Sequence, residues 1–254
     1  MKTEKEAKPS ATRSEKLRSL WKKRDMVESK SLKEALDNGF AYSTYTQSEK
    51  PIILVTGINP SYRTNDEFAD QFELDYDYSK IIESKKDNYY HNIHSVLPSE
   101  FKNKFQLVYS DLFYVRQTDQ ASLKQFFADE DGLQFMTAQL KITMEFIRDV
   151  NPTLIVVFNK GSWNYWGKNF NPNARKHKNA WMGFDFVRDE ESKHLCLHKF
   201  NGILEADQSI YKNFDLGHLK DTPIYFSKYL RFLGKLEKDS IRDELERIRK
   251  RLGK

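Results

Sequence analysis

Pro51-Ile52-Ile53-Leu54-Val55-Thr56-Gly57-Ile58-Asn59-Pro60-Ser61 decides how the rest of this chain is read. Four apolar residues, three of them β-branched (Ile52, Ile53, Val55), run without a polar break. A strand covered on both faces, as in a parallel sheet, has that pattern. Gly57 then reads as a residue taking a backbone angle that side chains resist. Pro60 reads as the end of the ladder, because it has no N–H to donate. Asn59 is thereby expected at the carboxyl end of a central parallel strand, where open α/β sheets hold their ligands. Gly57-Ile58-Asn59-Pro60 also fits an ordinary strand-to-loop turn.

Three further stretches fit the same architecture. Gln106–Phe113 reads as a second strand that enters the polar loop Val115–Gln120. Leu133–Val150 carries Leu133, Met136, Leu140, Met144, Phe146 and Ile147 on one helical face and stops at Asn151-Pro152. Thr153–Phe158 follows as a third buried strand. Helix, tight turn and buried strand make half of a βαβ unit. Gly161–Trp166 is expected to open another helix, and Phe184–Val187 and His194–Leu197 are candidate strands, with His198 at the end of the second.

Around this frame, Ser14–Leu36 has helical periodicity and Asn38-Gly39 is a helix stop. Residues 61–87 read as loop plus short helix, and residues 88–97 as a helix ending before Pro98. Residues 199–222 read as irregular. Thr222-Pro223 is expected to start a helix through Leu236. A last amphipathic helix carries Ile241, Leu245, Ile248 and Leu252. The expected fold class is α/β, a short, mostly parallel four-stranded sheet with helices on both faces. The expected divisions are a basic N-terminal helical extension (1–49), the α/β domain (50–235) and a basic C-terminal helix (236–254).

Composition bounds the function. At 254 residues the chain suits one large domain, or one domain with extensions. No run approaches the roughly 18 apolar residues of a membrane span, so no membrane partner is expected. The start is rich in Lys and Glu without an apolar segment, and Cys196 is the single cysteine. Both fit a cytoplasmic protein without a secretory leader. His91 and His94 lack a third ligand at recognisable spacing, so no metal and no cofactor are expected. Residues 1–34 hold 11 Lys/Arg against 6 Asp/Glu, and residues 228–254 hold 10 against 5. With a total of +5, the basic charge belongs to the two ends. Such ends can meet phosphates or simply be solvated helix faces.

In the order of its motifs the chain resembles the uracil-DNA glycosylase superfamily, nearest the mismatch-specific branch. Gly57-Ile58-Asn59-Pro60-Ser61 is similar to that branch's Gly-Ile-Asn-Pro-Gly after the first strand. Asn88–Ile93 is similar to its Asn-Arg-Phe-Trp helix start. Arg116 and Thr118 stand where its second strand enters an Arg/Thr loop, and Asn159-Lys160-Gly161 where its third ends in Gly-Lys. His198 stands where the closing motif begins. The likeness covers roughly residues 50–235. It departs at Ser61, which replaces the motif's glycine, and at Lys199-Phe200-Asn201-Gly202, where Pro-Ser would follow the histidine.

The resemblance implies a glycosylase-like three-layer sandwich and a monofunctional DNA N-glycosylase that flips out a uracil-type or mismatched base. Asn59 would orient the attacking water, His198 would donate to the departing base, and Tyr62 or Tyr90 would stack on it. Arg175, Lys176 and Lys199 would meet phosphates, and Phe200 would wedge into the base stack. The expected partner is DNA, bound by a monomer, with a protein partner through the terminal helices as a further option. The plainer readings are a strand-end histidine, core-edge tyrosines and a solvated basic loop, in a protein of this fold that binds without catalysing.

Overall fold

Strand β2 (Ile52–Gly57) lies inside a six-stranded sheet of order β4-β2-β5-β8-β7-β6. The computed structural model describes residues 12–62, 68–84, 88–119, 121–168, 182–189, 197–204, 217–227, 230 and 233–252. Within the sheet, β4 is Gln106–Asp111, β5 Leu154–Val157, β6 Phe184–Arg188, β7 Leu197–Ile203 and β8 Pro223–Phe226. β4, β2, β5 and β8 run parallel, and β7 and β6 continue the sheet antiparallel. All six residues of β2 and all four of β5 are buried, as the unbroken apolar runs predict.

Side chains alternate between two cores. Ile52, Leu54, Ile155 and Val157 face helices α1 (Arg13–Trp21), α2 (Lys30–Asp37) and α7 (Glu130–Val150). Ile53, Val55, Leu154 and Val156 face α4 (Asn88–Val96), α5 (Ser99–Lys104) and α9 (Lys235–Leu252). The result is an α/β three-layer arrangement with helices on both faces. The helices of the N-terminal extension belong to the first core. Trp21 is 1% exposed, with its ring 4.6 Å from that of Phe40 and 4.9 Å from that of Phe135. Ile241, Leu245 and Ile248 bury the apolar stripe of α9 in the second core. Among the described residues no helix is long and apolar enough to cross a membrane.

The helix stops match their residues. Gly39 follows α2 with φ +74°, and Asn151 closes α7 in the left-handed region with φ 48°.

Several expectations are corrected. The sheet has six strands, not four. The stretch from Thr222-Pro223, expected to be helical, contains strand β8. An apolar run of this length carries too little periodicity to tell strand from helix, and a proline is tolerated as the first residue of a strand. β7 starts at Leu197 and runs to Ile203, inside the segment expected to be irregular, while 191–196 lie outside the described residues. Residues 61–87 contain a strand, β3 (Glu73–Asp77), which pairs parallel with β1 (Phe40–Thr44) in a separate two-stranded sheet. β3 escapes a reading based on apolar runs because none of its residues is fully buried.

Candidate functional site

The parallel strands end together at Gly57, Asp111, Val157 and Phe226. From β2 the chain crosses to β4 on one side and then to β5 on the other. The strand order therefore reverses between β2 and β5, which is where open α/β sheets form a crevice outside their carboxyl ends. Asn59 follows β2 at that point and Asn159 follows β5.

Asn59 is half-buried. Its Nδ2 donates to the Pro60 carbonyl at 3.0 Å and to the Gln117 carbonyl at 3.5 Å. Carbonyl oxygens only accept, so these partners fix which way the amide faces. Oδ1 is left as the free acceptor among the described contacts. The backbone holds this turn in place. Phe113 N–H donates to the Ile58 carbonyl at 2.8 Å and Gln117 N–H to the Pro60 carbonyl at 3.1 Å. Pro60 thus interrupts the ladder without ending it, since Ser61 and Gln117 form one further parallel bridge.

Gly57 is a glycine for a different reason from the expected one. It sits in strand β2 and its φ is not among the positive ones. A β-carbon there would collide with Asp111 Oδ1 and the Tyr109 hydroxyl and would lie 3.1 Å from the Tyr89 hydroxyl. Space, not backbone angle, excludes a side chain.

Those oxygens belong to a buried polar cluster that the motif reading does not single out. Tyr109 Oη donates to Asp111 Oδ1 at 2.8 Å and Tyr76 Oη to Asp111 Oδ2 at 3.4 Å. Tyr90 Oη donates to Tyr76 Oη at 3.3 Å. The Tyr90 ring meets those of Tyr78, Tyr89 and Tyr109 edge-on at 4.9–5.7 Å. Asp111 is 4% exposed, and burial pushes its carboxyl up to about 7, with the two phenol donors pulling the other way. Burial likewise raises the Tyr76, Tyr90 and Tyr109 hydroxyls well above their ordinary range. The sequence signals for this cluster are an aspartate closing the strand-like run of Gln106–Asp111 and the density of tyrosines across 76–90; their meeting at Gly57 follows only from the strand register.

The remaining expected site residues are scattered. Tyr62 is half-buried, with the Arg116 guanidinium 5.3 Å from its ring centroid. Arg116 is buried, donating to the carbonyls of Gln71 and Phe68, so it braces a loop. Tyr90 lies in the tyrosine cluster. His198 does not end a strand; it is the second residue of β7, with its ring 5.5 Å from that of Phe226. Ser227 is the residue that follows the fourth parallel strand. Lys199 pairs with buried Asp189 at 3.5 Å, which also binds Arg251 at 2.6 Å. Phe200 is 3% exposed and packs on Phe184 at 5.0 Å, so the expected exposed wedge is a core side chain. Strand alternation explains this, since β7 continues through it. Arg175 and Lys176 lie outside the described residues.

Beside β5, Asn159 Oδ1 accepts from Gly161 N–H at 2.8 Å and caps the turn that exposes Lys160. The Lys168 ammonium stands 3.6 Å from the Trp163 ring centroid and 4.9 Å from that of Phe226. This edge thus joins aromatic faces to positive charge. Among the described residues no three His, Cys, Asp or Glu side chains converge as a metal site. No known protein-family model matches the chain, and no curated protein matches it.

Proposed function

We propose that the chain is a nucleobase N-glycosylase of the uracil-DNA glycosylase type, working at the carboxyl edge of β2 and β5. The observation that carries this reading is the Asn59 amide, which follows β2 at the point where the strand order reverses and is tied by its nitrogen to two carbonyls, leaving its oxygen as the acceptor. Hydrolysis of an N-glycoside places positive charge on the sugar and negative charge on the leaving base. A fixed amide oxygen can hold water against the sugar without being a strong base, and its contribution is positioning. The reaction needs water as its only co-reactant. Lys160, Lys168 and the Trp163 face supply an edge suited to phosphates and bases. In the same reading Arg175 and Lys176 add phosphate contacts, and Tyr62 and Tyr90 are the candidate stacking rings. The reading is tested by incubating the protein with uracil, hypoxanthine and mismatch oligonucleotides, single- and double-stranded, and counting abasic sites. Their absence at high enzyme excess would overturn it.

A second reading is a protein of this fold that binds nucleic acid without cleaving it. It is favoured by His198 lying within β7 and Phe200 lying in the core, which leave the expected closing loop unassembled. DNA binding that weakens with salt, with no base released, would select it.

A further inference from the structure

We propose that Asp111 is the proton acceptor of this site and that it acts through the hydroxyls of Tyr76 and Tyr90. The inference rests on the glycosylase reading and adds a function for a buried carboxyl that the water-positioning amide leaves unexplained.

The geometry carries it in three ways. First, the donors point one way. Tyr90 donates to Tyr76 and Tyr76 donates to Asp111 Oδ2. Each phenol can pass its own proton on as it receives another. Second, Tyr109 holds Asp111 Oδ1 at 2.8 Å, which orients Oδ2 toward the chain of phenols. Third, the cluster is anchored to the catalytic turn. Asp111 is the ladder partner of Gly57, two residues before Asn59, and a side chain at Gly57 would fill the space these oxygens occupy.

Among the described residues, no cation contacts the Asp111 carboxyl. Its surroundings are Tyr109 from β4, Tyr76 from β3 and Tyr89 and Tyr90 from α4, with Tyr78 of α3 (Tyr78–Ser84) stacked on Tyr109. The nearest described cation is Arg13 of α1, which is close enough to act on the Tyr76 hydroxyl but is engaged by the Ser43 carbonyl, with its guanidinium 3.5 Å from Ser110 Oγ. The carboxyl, raised by burial to about 7, is poised to exchange a proton at neutral pH. A carboxylate fixed in an ion pair would stay ionised.

The step balances as follows. Water oxygen bonds to the sugar's anomeric carbon, and the C–N bond breaks with its electron pair leaving on the base. The proton lost by that water goes to Tyr90 Oη, the Tyr90 proton to Tyr76 Oη, and the Tyr76 proton to Asp111 Oδ2, a role for Tyr90 that leaves Tyr62 as the stacking ring. Both phenol bonds are longer than a relaxed hydroxyl bond of about 2.7 Å, so the relay must tighten when the site is filled.

The test compares pH profiles of single-turnover base release for the wild type, Asp111→Asn and Tyr76→Phe. Tyr76→Phe removes one hydroxyl and keeps the ring, so it guards against a folding failure in Asp111→Asn. The wild-type rate should rise through a limb near pH 7, and both variants should lose that limb and about 10²-fold in rate, with substrate affinity unchanged. Variants that release base at the wild-type rate, with the same limb, would overturn the relay and leave the glycosylase reading standing. No release from the wild type would overturn both.

Discussion

Gly57 lies directly opposite Asp111 in the β2–β4 ladder, and the absent side chain of the first makes room for the carboxyl of the second. Gly57→Ala therefore tests the packing of the site. The added methyl would meet Asp111 Oδ1 and the Tyr109 hydroxyl, both in the buried cluster. Overpacking of this kind costs about 1–3 kcal/mol. Urea denaturation should show a lower midpoint with an unchanged slope.

Asp111→Asn should change how stability depends on pH. The folded carboxyl is raised to about 7 from an ordinary value of 3.8. Between these values the folded state binds more protons than the unfolded one, so this group makes stability fall as pH rises, and the loss levels off above pH 7. Asparagine stays neutral throughout and removes that slope. The variant should match or trail the wild type near pH 4 and exceed it at pH 8, by an amount on the order of 1–3 kcal/mol. Denaturation at the two pH values measures it, and a variant that is weaker at pH 8 would contradict the assignment. A gain in stability together with a loss of turnover would mark Asp111 as a residue kept for function.

Trp21→Ala probes the N-terminal helices. The indole is buried between Phe40 and Phe135, and its Nε1 donates to the Leu36 carbonyl at 3.3 Å. Truncation should cost about 3–5 kcal/mol. Calorimetry should show one transition moving down as a unit. A separate low-temperature transition for the first helices would contradict a shared core.

The parts of the fold legible in the sequence are those that speak through long apolar runs. Ile52–Val55, Leu154–Val157 and the face of α7 announced a parallel sheet with helical cover, and Asn38-Gly39 and Asn151-Pro152 announced two helix stops. β8 was not legible, because Pro223-Ile224-Tyr225-Phe226 is too short to show a period. β3 was not legible because its faces are only half-covered. His198 and Phe200 are misplaced together, since a strand ending at Leu197, six residues before the observed end at Ile203, puts both past it. In the candidate site, the position of Asn59 at the end of β2 is legible from the apolar run that precedes it. The Asp111 cluster was not, because it is assembled from β3, β4 and α4, and only the register of β4 against β2 brings its oxygens to Gly57.

The most direct test of the account is release of uracil or a mismatched base from oligonucleotides by the wild type and by Asn59→Ala, under single-turnover conditions. The amide fixed by Pro60 and Gln117 predicts release by the wild type and a loss of about 10²-fold or more in the variant, with DNA binding retained. Equal release by the two proteins would contradict the placing of the reaction at Asn59.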